Sequence, residues 1–184
     1  MDKEKIKKAI KLFIEGIGDD TEREGLKETP QRVADMMAEI LSGTNVKPEK
    51  EIRIHEAENR DEMIIVKDIP FYSFCEHHIL PFFGKVHIAY IPRDNVITGF
   101  GTMVRLVQIM SRRLQLQERM TTEICHILQK TLNPKGLLVV IEAEHLCITM
   151  RGVQKAGTKT TTSAMRGWLR NPPTRAEAFS LIKG

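Results

Sequence analysis

The spacing of apolar residues predicts two helices at the start of the chain. Apolar side chains recur at helical spacing over residues 6–17. A second apolar stripe over residues 33–41 follows Thr29 and Pro30, which are typical of the N-cap and the first position of a helix. The polar stretch that comes next, residues 42–60, predicts a connection with little regular structure.

Strand and helix patterns alternate over the rest of the chain. We predict strands at residues 63–66, 84–92, 137–143 and 145–152, and helices at residues 103–114 and 120–128. The order strand, strand, helix, helix, strand, strand is typical of an α+β domain whose antiparallel sheet carries its helices on one face. The Thr-rich run at residues 158–163 has no clear pattern, and a short helix is predicted after Pro172 and Pro173.

Composition narrows the class of protein. With 184 residues, 41% hydrophobic and 28% charged, the chain is expected to form one ordinary domain with a helical extension, and a disordered or collagen-like chain is excluded. The net charge of +4 favours a small anionic ligand and is too small to indicate nucleic acid. Three cysteines, no N-terminal apolar segment and no long apolar run lead us to expect a soluble cytoplasmic protein without membrane contact.

The highest density of potential metal ligands in the chain is at Cys75-Glu76-His77-His78. Cys75 and His78 have the Cys-x-x-His spacing that a tight turn can bring around one zinc ion. Cys147 is available as a third ligand, because the last predicted strand would place it on the same face as His145 and Arg151. Two thiolates and one imidazole would leave the fourth position of a tetrahedral zinc ion open, as in catalytic sites.

Two histidines next to these residues are suited to proton transfer. His77 and His145 would be free to act as general acid and base beside the metal. The alternative is that Cys75 and Cys147 are buried core thiols. We give that interpretation to Cys125, because it lies in the apolar period of a helix.

Two further segments contain groups suited to a purine nucleotide. Glu118 could accept hydrogen bonds from N1–H and the 2-amino group of a guanine, although charged residues at this density usually form a solvated helix face. The turn Gly99-Phe100-Gly101-Thr102 opens a helix with Arg105 one turn inside, which suits either a phosphate site or an ordinary strand-to-helix turn. For either segment, the local sequence alone does not distinguish a ligand-binding role from an ordinary structural one.

Over nearly its whole length the chain resembles GTP cyclohydrolase I, the zinc enzyme that opens the pterin and folate pathway. The resemblance rests on several segments in the same order along the chain. They are Glu28-Thr29-Pro30-Gln31-Arg32-Val33-Ala34, Cys75-Glu76-His77-His78, His87-Ile88-Ala89-Tyr90-Ile91-Pro92, Gln115-Leu116-Gln117-Glu118-Arg119, Glu142-Ala143-Glu144-His145-Leu146-Cys147 and Arg151-Gly152. The resemblance implies the tunnelling fold (T-fold), an antiparallel four-stranded sheet with two helices on one face. It also implies a helical extension with its connection at residues 1–60 and a catalytic domain at residues 61–184.

The resemblance implies a role for each matching site residue. The metal ligands for Zn²⁺ would be Cys75, His78 and Cys147, and the proton-transfer residues would be His77 and His145. The purine would be anchored by Glu118 and Gln117, and the triphosphate would be bound by Arg105, Arg151 and, from a neighbouring subunit, Arg32. The implied reaction converts GTP and water to 7,8-dihydroneopterin triphosphate and formate, in a homodecamer whose active sites lie between subunits.

One loop departs from the family pattern. Where the family reads Gly-Leu-Ser-Lys before the helix, this chain has Gly101 and Thr102 in place of the serine and the lysine. The Thr102 hydroxyl, the helix start and the arginines remain, while the lost charged hydrogen bond predicts roughly ten- to 150-fold weaker triphosphate binding. One alternative is therefore a divergent cyclohydrolase that acts on another purine nucleotide or stops at the formamide intermediate. A non-catalytic nucleotide-binding oligomer is a second alternative. A third is dihydroneopterin triphosphate epimerase, a sister branch that does not need the zinc group.

Overall fold

The computed structural model describes residues 1–57 and 62–184, which form two compact units, Met1–Ser42 and Gly43–Gly184. The boundary predicted between residues 60 and 61 lies outside the described residues. Residues 43–57 belong to the second unit. The predicted division into an extension at residues 1–60 and a catalytic domain at residues 61–184 stays a prediction. Within the described part of the chain, no helix is long and apolar enough to cross a membrane.

Two helices in the first unit confirm the first prediction from apolar spacing. They are α1 (Lys3–Gly16) and α2 (Thr29–Ile40). The side chain of Asp2 caps α1, and Pro30 is buried in the first turn of α2. The predicted N-cap of α2 is wrong by one residue: Glu28 holds that position, because Thr29 is already helical and its hydroxyl donates back to a carbonyl in the preceding turn.

The second unit is an α+β arrangement of strands and helices. Its strands are β1 (Ile54–Glu56), β2 (Ile64–Cys75), β3 (Leu80–Ile91), β4 (Val96–Thr98), β5 (Leu114–Gln115), β6 (Gly136–His145) and β7 (Lys159–Gly167). Its helices are α3 (Phe100–Ser111), α4 (Gln117–Leu132), α5 (Leu146–Thr149) and α6 (Pro172–Lys183), with short 3₁₀ turns at Pro48–Glu51 and Trp168–Arg170. The helix predicted after Pro172 and Pro173 is confirmed as α6.

The main sheet has the strand order β5-β2-β3-β6-β7. Its four long strands, β2, β3, β6 and β7, are antiparallel neighbours, which confirms the predicted four-stranded antiparallel sheet. β5 adds a two-residue parallel pairing beside β2, at the end of β2 that carries Cys75. β1 and β4 pair with each other as a separate ribbon.

Helices cover both faces of this sheet. On one face α3 and α4 contribute apolar side chains such as Leu106 and Ile124 to the main core, as predicted. On the other face Leu138 and Val140 of β6 pack with Ala178 of the terminal helix α6, which the sequence pattern did not predict. A strand buried on both faces is expected to be apolar at successive positions, and this explains the continuous aliphatic run in β6.

In three segments strand pairing adds structure that the sequence pattern did not predict. The described part of the predicted connection, residues 42–57, contains a 3₁₀ turn and β1, which forms because Val96–Thr98 provides a partner strand. The strand predicted at residues 63–66 continues to Cys75 through a bulge at Asp68, which has φ 60°. The Thr-rich run lies in β7, where β-branched residues suit an edge strand.

The strand predicted at residues 145–152 does not form. His145 is the last residue of β6, and residues 146–149 form the single helical turn α5. The ladder with β3 ends at the pair Phe82–His145, and the next residue of β3 is Pro81. Proline has no N–H to donate, so β6 has no partner beyond His145 on that side.

Candidate metal centre and active site

Three candidate ligands, Cys75, His78 and Cys147, come together at one end of the main sheet, and we call them the metal group. The two Sγ atoms and a ring nitrogen of His78 all lie within 4.8 Å of one another. Cys75 ends β2, and His78 lies in the turn to β3, where the N–H groups of His78 and Ile79 donate to the Cys75 carbonyl at 3.3 and 2.8 Å. Cys147 is supplied by α5 rather than by a strand face, so the predicted grouping is found on a different local structure.

The donor set of this group fits a zinc ion. Two thiols and one imidazole are ligands that zinc prefers, and three protein ligands leave one tetrahedral position for water or substrate. Burial and the adjacent Cys75 thiol raise the pKa of the Cys147 thiol. The Cys147 thiol therefore resists ionisation, and a bound cation would remove that cost.

A polar clamp, which we define as Glu76, Gln115 and Arg119, holds the turn that carries the first two ligands. The Glu76 N–H donates to the Gln115 carbonyl at 3.0 Å, and the carboxylate of Glu76 is paired with the guanidinium of Arg119. Arg119 also donates to the side-chain oxygen of buried Gln115 at 3.0 Å. The hydrogen bond from Arg119 to the Glu76 carboxylate lowers the pKa of Glu76. This clamp was not predicted from the sequence, although the four-residue spacing of Gln115 and Arg119 is a signal for such a contact.

His145, two residues before Cys147 in the chain, is held in a defined position. Its ring stacks on Phe82 with centroids 4.7 Å apart and an interplanar angle of 3°. Its Nε2 atom lies 2.7 Å from the side-chain oxygen of Gln117. Burial lowers the pKa of His145, and the nearby charge of Glu118 acts in the opposite direction. The second predicted proton-transfer residue, His77, is exposed, and its ring is nearly perpendicular to the ring of His78 at a centroid distance of 6.3 Å.

The side-chain amide of Gln117, a predicted purine contact, is bonded to groups of the protein itself. The side chain is buried, with 1% of its surface exposed, and both ends of its amide are bonded within the protein. The neighbouring Glu118 is exposed in the first turn of α4 and is available to a ligand.

The predicted phosphate contacts divide into three groups. Arg151 lies beside the metal group, with Nη1 3.2 Å from Nε2 of His78. Arg105 is exposed in α3 but donates to the carboxylate of Glu51 at 2.9 Å. Thr102 is in the first turn of the same helix, whereas Arg32 is exposed in α2 of the first unit.

The second unit combines an antiparallel sheet, a Cys–His–Cys group at one end of it, and a histidine held by Phe82 and Gln117. These features define a candidate metalloenzyme. Residues 6–183 match the family described as GTP cyclohydrolase I. The chain belongs to the GTP cyclohydrolase I family, and its fold is the T-fold of that family.

Similar proteins carry the same description over their full length. GTP cyclohydrolase 1 of Pelotomaculum thermopropionicum is 56% identical over 184 residues, which is 100% of this chain and 98% of the relative. The proteins of the same name from Carboxydothermus hydrogenoformans and Acetivibrio thermocellus are 52% and 50% identical, over 99% and 100% of this chain and 95% and 99% of their own. Among solved structures, the apo form of archaeosine synthase QueF-Like aligns with 57% of this chain and 93% of its own, at 17% identity and a TM-score of 0.43.

Proposed function

We propose that the chain is a zinc-dependent GTP cyclohydrolase I, which converts GTP and water to 7,8-dihydroneopterin triphosphate and formate as the first step of tetrahydrofolate and pterin synthesis. The observation that carries the proposal is the grouping of Cys75, His78 and Cys147 within 4.8 Å on a chain of this family. Relatives that are 50% to 56% identical over 98% to 99% of their own length have this name, which supports the same substrate.

In this proposal Cys75, His78 and Cys147 hold the zinc ion. When bound, zinc supplies Lewis acidity and an activated water at neutral pH, which is the nucleophile needed at C8 of a purine. The clamp of Glu76, Gln115 and Arg119 keeps the turn with the first two ligands in place. Such outer contacts typically contribute about ten- to 100-fold to metal affinity or activity.

His145 and His77 are the proposed proton-transfer residues. His145 is two residues before Cys147 in the chain and is fixed by Phe82 and Gln117, which supports its role in proton transfer beside a bound metal. His77 lies between Glu76 and His78 in the same turn, and its side chain is exposed, so it would be accessible to a bound substrate. Opening the imidazole ring of the purine requires protonation of its leaving nitrogen. Histidine side chains are suited to donate and accept such a proton.

Substrate binding is proposed for Glu118 and for a set of basic and polar side chains. The exposed carboxylate of Glu118 can accept from N1–H and the 2-amino group of guanine, a pair that adenine lacks. The phosphates would meet Arg151 beside the metal group and Arg105 and Thr102 in α3. Arg32 would reach the site from another subunit.

We further propose a homo-oligomer, most simply the decamer of the family, with active sites between subunits. Large apolar side chains are exposed on the second unit, including Tyr72, Phe100 and Leu114, and a second copy of the chain would cover them. Light scattering on a sizing column measures the mass. Mixing inactive Arg32→Ala and His145→Gln subunits and letting them exchange should restore part of the activity, since some mixed sites would contain both native residues. A fully active monomer would contradict the proposal.

The reaction is tested with zinc-loaded protein and a nucleotide panel. GTP, GDP, GMP and ATP are each incubated with the enzyme, and formate and the fluorescent pterin formed after oxidation are measured. We expect both products from GTP, little from ATP, and neither from the metal-stripped protein or the His145→Gln variant. A folded, zinc-loaded oligomer that gives neither product with any guanine nucleotide would overturn the proposal.

A divergent cyclohydrolase is the second candidate, because Gly101 and Thr102 replace the serine and lysine of the family loop. Such an enzyme would prefer another purine nucleotide, or it would consume GTP with an absorbance change but release no formate. Thr102→Lys separates the two candidates. A large gain in GTP affinity, with no change for the preferred nucleotide, would favour the divergent enzyme.

Metal content and histidine dependence separate the proposed enzyme from a binding protein and from an epimerase. A non-catalytic nucleotide-binding oligomer would keep its role when His77 or His145 is replaced, whereas the proposed enzyme would lose most of its turnover. The dihydroneopterin triphosphate epimerase branch does not need a zinc group, so one tightly bound zinc per chain would argue against it.

A further inference from the structure

The side-chain amide of Gln117 is at the centre of a buried hydrogen-bond network. Its nitrogen lies 3.0 Å from the Ile141 carbonyl, 2.9 Å from the Thr160 carbonyl and 3.1 Å from the Thr162 hydroxyl. Its oxygen lies 2.7 Å from Nε2 of His145. The first residue of α4 is thereby tied to β6 and β7 and also to the histidine that ends β6.

The network fixes which way the amide points. The carbonyl oxygens of Ile141 and Thr160 can only accept hydrogen bonds, so the group that faces them must be the NH₂ donor of Gln117. A flipped amide would place its oxygen against two carbonyl oxygens and leave the NH₂ group facing His145. The orientation therefore follows from the chemistry of the partners.

The orientation of the amide in turn determines the tautomer of His145. An amide oxygen accepts a hydrogen bond, so the ring nitrogen 2.7 Å away must carry a proton. In the neutral ring the lone pair is then on Nδ1. Stacking on Phe82 fixes the plane of the ring, and the hydrogen bond to Gln117 fixes its rotation within that plane.

We propose that Gln117 is a positioning residue that holds His145 as the Nε2–H tautomer, so that Nδ1 is the nitrogen that exchanges a proton with the bound nucleotide. The inference rests on the proposed function for the identity of the nucleotide, but the tautomer itself does not. It replaces the purine contact expected for Gln117 with a role that acts through His145.

The first test observes the tautomer directly. Zinc-loaded protein is labelled with ¹⁵N at the histidine rings, and solid-state NMR distinguishes protonated from unprotonated ring nitrogens in an assembly of any size. The His145 signals are assigned from their absence in the His145→Gln variant. We expect a protonated Nε2 and an unprotonated Nδ1. A wild-type protein with the proton on Nδ1 would overturn the inference, whether or not the chain turns over GTP.

The second test compares two variants that alter different parts of the network. Gln117→Met keeps the length of the side chain but removes the acceptor, so a mixture of tautomers and a kcat roughly ten- to 100-fold lower are expected, with KM for GTP within about threefold of wild type. Thr162→Val removes one acceptor from the amide nitrogen but leaves the bond to His145, so a single tautomer and a loss of less than about threefold in kcat are expected.

The outcomes separate a positioning role from a purine contact and from a purely structural role. A Gln117→Met variant with a raised KM and an unchanged kcat would show a purine anchor and overturn the inference. Equal losses in both variants, with the tautomer unchanged in each, would show a purely structural role and would also overturn it. If no nucleotide is turned over by the wild-type protein, the proposed function fails while the NMR result still decides the tautomer.

Discussion

Replacing Gly84 with alanine should force β3 and β6 apart next to the candidate site. Gly84 is opposite Ala143 in the antiparallel ladder. A Cβ atom at this position would lie 2.7 Å from the Ala143 Cα and 2.8 Å from the Glu142 carbonyl carbon, and it would be closer still to the Glu142 oxygen. Ordinary carbon–carbon contacts are about 3.5–4.0 Å, so the shortfall is about 1 Å. Every atom in the way belongs to the backbone, and no side-chain rotation can relieve the clash.

The free energy of unfolding lost in Gly84→Ala can be estimated from this shortfall. Overpacking of a well-packed site costs about 1–3 kcal/mol. Moving two strands apart by about 1 Å also weakens one or two ladder hydrogen bonds, each worth about 0.5–1.5 kcal/mol. A loss of about 3 kcal/mol is therefore expected, which corresponds to a decrease in Tm of about 6–12 °C for a chain of this size. The pair Phe82–His145 lies two positions along the same ladder from Gly84–Ala143, so kcat should fall as well.

Thermal unfolding followed by circular dichroism, at one fixed protein concentration, measures this effect. Gly101→Ala is the matched control, because a Cβ atom at Gly101 meets no other atom within 4 Å and the residue is in the first turn of α3. Alanine is favoured over glycine in a helix, so this variant should be as stable as wild type or about 0.5–1 kcal/mol more stable. A Gly84→Ala variant that melts within about 2 °C of wild type, while the control behaves as expected, would refute the reasoning.

Metal removal, pH and one ion pair provide further tests. A strong chelator should abolish formate release, and zinc should restore it at one ion per chain in wild type but not in Cys147→Ser; activity without bound metal would contradict the assignment of the ligands. Burial lowers the pKa of His87 below its ordinary 6.5, so the folded state disfavours the charged ring, and stability is full above about pH 6.5 and decreases as the pH falls toward the folded-state pKa. Charged groups face this ring from the surrounding strands: Lys67, Asp68, Lys85 and Glu142. In His87→Gln, whose amide can still accept the hydrogen bond from the Asp68 N–H, Tm should fall less between about pH 7.5 and 5.5 than in wild type, and equal falls would refute the assignment. Glu51→Gln should release Arg105 and lower KM for GTP by about two- to fivefold, with less effect at high salt, because the pair is largely exposed; an unchanged KM would show that Arg105 does not meet the phosphates.

Local patterns in the sequence predicted the helices well and the strands only in part. The apolar spacing that predicted α1, α2, α3 and α4 is a property of each segment, and packing of those faces in the structure agrees with it. β7 was missed because its threonines are polar on both faces, and only pairing with β6 across the sheet makes it a strand. The end of β6 at His145 was missed for a related reason: Pro81, more than sixty residues earlier in the chain, removes the next pairing partner.

The same distinction between local and distant partners applies to the candidate site. Cys75 and His78 are separated by one turn, so their spacing pointed to a possible metal pair, and Cys147 with the nearby histidines strengthened that prediction. The partners of Gln117 are 24 to 45 residues away in β6 and β7, and no pattern around Gln117 itself points to them. A family resemblance that matches Gln117 and Glu118 as one motif treats both as purine contacts, although the structure exposes one side chain and buries the other. Adjacent residues at the start of a helix point in directions about 100° apart, so one can face a ligand while the other holds the histidine that acts on that ligand.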